Sequence, residues 1–172
     1  MPTSTQQFDA EALYQVLLGQ VRAGLLGVPD AAIVGIHSGG AWLAERLAAD
    51  LGLQPRLGFI DVSFYRDDYA KKGLHPDVKP THIGFNVDRA TIVLVDDVLY
   101  TGRTTRAAIN VLFDYGRPAR IMLAALADRG GRELPVAADF VATTLALETQ
   151  QSLVLARAAD GQFTLTIEPD HA

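Results

Sequence analysis

The chain has 172 residues and no cysteine, so it is long enough for one domain to bury its own core, and disulfides, thiolate metal sites and thiol nucleophiles are excluded. Hydrophobic residues make up 49% and charged residues 20%, the proportions of a folded globular protein rather than a disordered one. The net charge of −5 weighs against a surface built wholly for nucleic acid, but Arg103, Arg106, Arg117, Arg120, Arg129 and Arg132 fall close together and leave room for a local basic face.

The N-terminal MPTSTQQFDAEALYQ has no basic segment leading into an apolar one, so no signal peptide is evident. No uncharged apolar run approaches the ~18 residues of a membrane span. A cytoplasmic protein without membrane contact is the expectation, as a single domain over 1–172.

A helix is predicted over 9–23, with Asp9 as N-cap, Leu13, Val16, Leu17 and Val21 on one face, and Gly24 at its end. AAIVGI (31–36) is a continuous apolar run, as in a strand of a parallel sheet buried on both faces. HSGG then turns the chain into a helix over 40–51. LGFIDVSF (57–64) reads as a second strand. YRDDYAKKGLHPDVKPTHIG has no sustained period, and a loop of that length is usually functional.

TIVLVDD (91–97) is the third strand, followed by a turn, a helix over 103–115 and Gly116 to close it. RIMLAALAD (120–128) is another buried strand, and RGGRELPVAADF reads as loop. Near the end, SLVLARAADGQFTLTIE alternates on both sides of Asp160-Gly161, a hairpin signal.

Strands alternating with helices predict an α/β fold, an open and mostly parallel sheet with helices on both faces. Ligands of such sheets bind at the carboxyl ends of the strands. Three polar, glycine-containing segments fall there: His37-Ser38-Gly39-Gly40, Asp96-Asp97 with the turn behind it, and Asp128-Arg129-Gly130-Gly131.

The central segment is TIVLVDDVLYTGRTTRAA (91–108). Thr101, Gly102, Arg103, Thr104 and Thr105 open a helix, where unpaired backbone amides and the helix dipole favour an anion. The GxxxxGK(S/T) pattern of a nucleoside-triphosphate loop is absent. Asp96 and Asp97 suit vicinal hydroxyls or a hard cation such as Mg²⁺. A phosphate on one side and a diol on the other describe a ribose 5-phosphate.

VLVDDVLYTGRTTRAA resembles the phosphoribosyl-diphosphate (PRPP) motif of the type I phosphoribosyltransferases. DVSFYRDDYAKKGLHP, LFDYGRPARI and DRGGRELPVAADFV are similar to segments of the PyrR family, the pyrimidine operon attenuator/uracil phosphoribosyltransferases. The resemblance spans roughly 31–142 and implies a type I phosphoribosyltransferase fold with a long flexible loop and a small hood.

The resemblance also implies roles. Asp96 and Asp97 would bind the ribose hydroxyls of PRPP, with Mg²⁺ carried by PRPP beside them. Thr101, Gly102, Arg103, Thr104 and Thr105 would hold the 5′-phosphate, and His37, Ser38, Gly39 and Gly40 would form the pyrophosphate loop. Tyr65, Arg66 and Asp67 would begin a flexible loop that closes over PRPP, with Arg66 neutralising the leaving group. The loop 129–136, with Arg129, Arg132, Leu134 and Val136, would cover uracil. A homodimer or larger assembly is implied as well.

Three places depart from the family's pattern. Gly39 stands where many relatives carry Arg, ATTLALE (142–148) replaces a more polar stretch, and 1–30 has a single basic residue, Arg22. The leading expectation is an enzyme converting uracil and PRPP to UMP and diphosphate with Mg²⁺. An RNA-binding regulator of pyrimidine operons, sensing UMP or UTP in the same pocket, ranks second. A phosphoribosyltransferase for another base is the third reading. His75 and His82 read as surface residues of the long loop, Trp42 as packing, and Arg117 and Arg120 as solvated.

Overall fold

The computed structural model describes residues 6–63 and 81–170. Nine strands and three α-helices are present among them: β1 (Gln7–Phe8), α1 (Ala10–Gly24), β2 (Ala31–Ile36), α2 (Gly39–Leu51), β3 (Leu57–Ile60), β4 (His82–Ile83), β5 (Thr91–Leu99), α3 (Arg103–Tyr115), β6 (Arg120–Asp128), β7 (Phe140–Thr144), β8 (Gln151–Arg157) and β9 (Phe163–Pro169). Six strands form the main sheet in the order β4-β3-β2-β5-β6-β7. All its pairs are parallel except β3–β4. A second sheet, β1-β9-β8, is antiparallel.

The continuous apolar strands divide their side chains between two cores by the two-residue repeat of a strand. Along β5, Val93 and Val95 join Tyr14, Leu17 and Val21 of α1 and Leu43 and Leu47 of α2. Ile92 and Leu94 face the other way, to Ala108 and Leu112 of α3. The small sheet closes the α1–α2 side with Leu153 and Leu155 from β8 and Phe163 and Leu165 from β9.

Asp9 caps α1 as expected, accepting a hydrogen bond from the Ala12 amide at 3.0 Å. The helix ends one residue later than 9–23 implied, with Leu25 as its C-cap. The helix after HSGG begins at Gly39 rather than residue 40, and Ser38 makes no side-chain cap bond. The strand expected over 57–64 stops at Ile60, because the Asp61 side chain accepts the Ser63 amide and turns the chain. His82 lies in β4, paired with Phe59, rather than in a patternless loop. The hairpin forms as its pattern implied, with Gly161 at φ +90°. β1 and β7 were not foreseen. No helix among the described residues is long and apolar enough to cross a membrane.

Candidate active site

Asp96 and Asp97 lie inside β5, not beyond it: the strand runs on to Leu99. Among the described residues the extension pairs with β6 alone, with Asp96 opposite Ala125 and Leu99 opposite Asp128, whereas pairing with β2 ends at Gly35 opposite Val95. The acids therefore sit where β2 has turned away. Each side chain also accepts the next backbone amide, Asp97 N–H to Asp96 Oδ1 at 2.9 Å and Val98 N–H to Asp97 Oδ1 at 2.8 Å. Asp96 is 6% exposed, and Asp97 is half-buried.

The space vacated by β2 is filled by the 37–40 turn. The His37 amide donates to the carbonyl of Ile60 at 2.9 Å, anchoring the turn to the end of β3. The His37 ring lies 5.5 Å from that of Phe59, and the His37–Ser38 peptide is cis. Gly39 and Gly40 are buried against the acids. A Cβ on Gly39 would fall 2.8 Å from Asp97 Cγ, and one on Gly40 would fall 2.9 Å from Asp96 Cα. Contacts that close leave no room for a side chain unless the acids or the turn shift, so glycine here lets the turn's backbone approach the carboxylates.

Past Leu99 the chain turns through Gly102 at φ +94°, the N-cap of α3. Thr101 is buried, and its Oγ1 accepts the Arg103 amide at 3.2 Å. The next amides, of Thr104 and Thr105, are among those a helix leaves without partners inside it. Behind them the hydroxyl of Thr105 is buried with no hydrogen-bond partner. A buried unpaired hydroxyl costs stability.

The segment 129–136 has no regular structure, and Gly130 and Gly131 both have positive φ, +72° and +75°. It is fastened to the turn before α3. The amides of Glu133 and Leu134 both donate to the Thr101 carbonyl, at 2.9 and 3.1 Å, and the Arg129 amide donates to Leu99. Val136 and Leu134 close over Gly102, where a Cβ would fall 3.1 Å from Val136 Cγ2. The Arg129 guanidinium stacks on the Tyr100 ring at 3.9 Å.

Arg132 holds the segment most firmly. It donates from Nε to the Val136 carbonyl at 2.7 Å, from Nη1 to the Tyr100 carbonyl at 2.8 Å and Asp128 Oδ1 at 2.9 Å, and from Nη2 to Asp128 Oδ2 at 2.7 Å. The Arg132 guanidinium holds the Asp128 carboxyl below its ordinary range, partial burial opposes the shift, and the Gly130 amide adds to it. Arg103 forms an exposed ion pair with Glu133 at 3.2 Å, a contact of small energetic weight.

The structure thus brings together the described segments expected at the site: the 37–40 turn, the two acids, the 101–105 turn and the 129–136 segment. Tyr65, Arg66 and Asp67 lie outside the described residues, as does His75. Tyr100 was given no role and Asp128 only a place at the ligand edge, and both bear on how the 129–136 segment is held. Asp128 left one trace, an acid four residues before Arg132. That spacing is informative on a helix, and here it spans a strand end and a loop.

Residues 11–154 match the family described as the phosphoribosyl transferase domain, which sets the class of the protein. The fold agrees. The hypoxanthine phosphoribosyltransferase of Trypanosoma cruzi in a ternary substrates complex superposes with a TM-score of 0.67, covering 96% of each chain at 17% identity. At that identity the likeness concerns the fold alone, that of a type I phosphoribosyltransferase. Among curated proteins, the bifunctional protein PyrR of Ralstonia nicotianae is 54% identical over 98% of this chain and 99% of its own length. That of Pseudomonas aeruginosa is 52% identical over 75% of this chain and 76% of its own. The chain belongs to the phosphoribosyl transferase domain family and, within it, to the bifunctional PyrR proteins.

Proposed function

We propose that this chain is a uracil phosphoribosyltransferase, forming UMP and diphosphate from uracil and PRPP. The observation that carries the reading is a carboxylate pair, Asp96 buried and Asp97 half-buried, bracketed on one side by glycine backbone and on the other by a helix N-terminus. Behind that N-terminus lies the unpartnered hydroxyl of Thr105.

In this reading the α3 amides and the Thr105 hydroxyl hold the 5′-phosphate, with Thr101, Gly102, Arg103 and Thr104 shaping the cradle. Asp96 and Asp97 accept hydrogen bonds from the 2′- and 3′-hydroxyls. The 37–40 turn offers backbone amides to the diphosphate, and the 129–136 segment covers the base. The uracil nitrogen attacks the anomeric carbon as the bond to diphosphate breaks, through an oxocarbenium-like state, and the proton it carried passes to the departing diphosphate or to water. No protein nucleophile is needed. The chain aligns the two reactants, places negative charge beside the developing cation and keeps water away.

Asp96 and Asp97 offer the hard oxygen donors that suit Mg²⁺, which typically takes one or two carboxylates together with substrate phosphates. When bound, Mg²⁺ neutralises charge on the departing diphosphate.

The test is an assay with labelled uracil, PRPP and Mg²⁺, with guanine, hypoxanthine and orotate as competitors. Mg²⁺-dependent UMP formation supports the reading, and transfer to another base or to none would overturn it.

A second role, RNA-binding control of pyrimidine operon expression with UMP or UTP as the sensed ligand, is favoured by one finding: the full-length relatives bear the name bifunctional. Its test is binding of a pyrimidine-operon leader transcript, with affinity falling steeply as salt rises. A homodimer or larger assembly, in a cytoplasmic setting, completes the proposal.

A further inference from the structure

We infer that Arg132 and Asp128 are the positioning pair of the base pocket, setting the backbone of the 129–136 hood against the base without touching it. The inference rests on the uracil reading for the identity of the base, and on geometry for the rest.

A guanidinium has five N–H donors, and four of those of Arg132 are taken up by Val136, Tyr100 and the two oxygens of Asp128. One donor remains, so Arg132 has no fork to offer a pyrimidine edge. What it does instead is join three pieces of chain: the end of β5 at Tyr100, the end of β6 at Asp128 and the far side of the hood at Val136. The hood has no ladder of its own and contains two glycines at positive φ, so cross-links set its shape. Both oxygens of Asp128 are engaged as well, and its Oδ1 also accepts the Gly130 amide at 2.9 Å. The two Thr101 carbonyl bonds then fix this shaped loop relative to the 101–105 turn. Base affinity follows from that alignment. Lysine cannot replace the fork, because an ammonium lacks its planar, divergent donors.

The experiment compares two ligands by calorimetry. UMP spans the cradle and the hood, whereas ribose 5-phosphate reaches the cradle alone. Both are titrated into the wild type and into Arg132→Ala, Arg132→Lys and Asp128→Asn, with thermal melting of each protein alongside. Misplacement of a contact by about an ångström has large effects, so UMP affinity should fall by roughly tenfold or more in Arg132→Ala and Asp128→Asn. Ribose 5-phosphate affinity should stay within about twofold of wild type. Arg132→Lys should lie between, keeping the ion pair and losing the fork.

Equal losses for both ligands would show that the pair merely supports the whole sheet edge, and no loss for UMP would show that the hood does not need it. Either result overturns the inference. If Arg132→Ala does not fold, Arg132→Lys and Asp128→Asn carry the same comparison. A wild type that binds IMP in preference to UMP overturns the uracil reading, and the ratio to ribose 5-phosphate, taken with IMP, still decides the role of the pair.

Discussion

Asp97 occupies the space that a side chain on residue 39 would need: an ideal Cβ at Gly39 lies 2.8 Å from Asp97 Cγ and 3.0 Å from its Cβ. An arginine at this position would therefore have to displace the acid or the turn. Even Gly39→Ala must push Asp97 or the turn aside. The KM for PRPP should rise by about tenfold or more, with a melting temperature close to wild type because the half-buried Asp97 side chain can move aside. Steady-state kinetics and a melting curve check both halves.

Asp97→Asn keeps the oxygen that accepts the Val98 amide and removes the charge. Turnover should fall by roughly 10²–10³, the usual loss when one electrostatic contact to a developing charge is removed. Near-normal turnover with intact PRPP binding would remove Asp97 from the proposed chemistry.

Thr105→Val separates the ligand from the fold. The hydroxyl is buried without a partner, and such a group costs about 1–3 kcal/mol when desolvated. The isosteric valine should therefore leave the unliganded protein as stable as wild type or more so. The rise in melting temperature on adding ribose 5-phosphate should shrink. Loss of stability without ligand would mean that the hydroxyl serves the fold.

The Asp128 carboxyl has its folded pKa depressed, chiefly by Arg132. Such a group contributes stability above its unfolded pKa, about 3.9 for Asp, and that contribution is lost as pH falls through the lower folded value. Asp128→Asn should thus be less stable than wild type at neutral pH, and the gap should close as pH drops below the ordinary carboxylate range. Melting temperatures of both proteins across that range decide it. A gap that does not change with pH would exclude the ion pair as its source.

Tyr14 is fully buried, and its hydroxyl donates to Asp50 Oδ2 at 2.5 Å. Burial raises its pKa, and the Asp50 hydrogen bond raises it further. Tyr14→Phe should cost about 1.5–3 kcal/mol, the range for hydrogen bonds to charged groups, without altering UMP formation. Denaturant unfolding gives the first quantity and the uracil assay the second.

The parts of the molecule legible in the sequence are those where one physical signal dominates. The runs 31–36, 92–95 and 121–127 carry no polar side chain because both faces of each strand are covered, and a polar or charged residue, His37, Asp96 or Asp128, follows each at the ligand edge. Gly102 announces the start of α3, since the chain needs a positive φ there. β7 escaped notice because it is an edge strand, half-buried along most of its length, with two threonines and no clear alternation. β1 and β4 have two residues each, too few for any period. The continuation of β5 through its acids could not be read either, because two adjacent carboxylates look like the start of a loop until β6 is known to run beside them. The cross-links of Arg132 join segments that sequence spacing does not relate.

The pairing of β1 with β9, Gln7 opposite Thr166, joins positions that nearly the whole chain separates. Closing so large a loop carries an entropic cost that grows slowly with its length, and contacts of that reach form late during folding. The small sheet nevertheless places Phe163 and Leu165 in the α1–α2 core, and Arg46 bridges Glu11 of α1 to the Gly161 carbonyl of the hairpin while stacking on Phe163. A polypeptide emerging from the ribosome can therefore assemble the main sheet first, but the outer side of the α1–α2 core stays uncovered until the β8–β9 hairpin has been synthesised. Stalled or prematurely terminated chains would expose that apolar surface to chaperones and proteases.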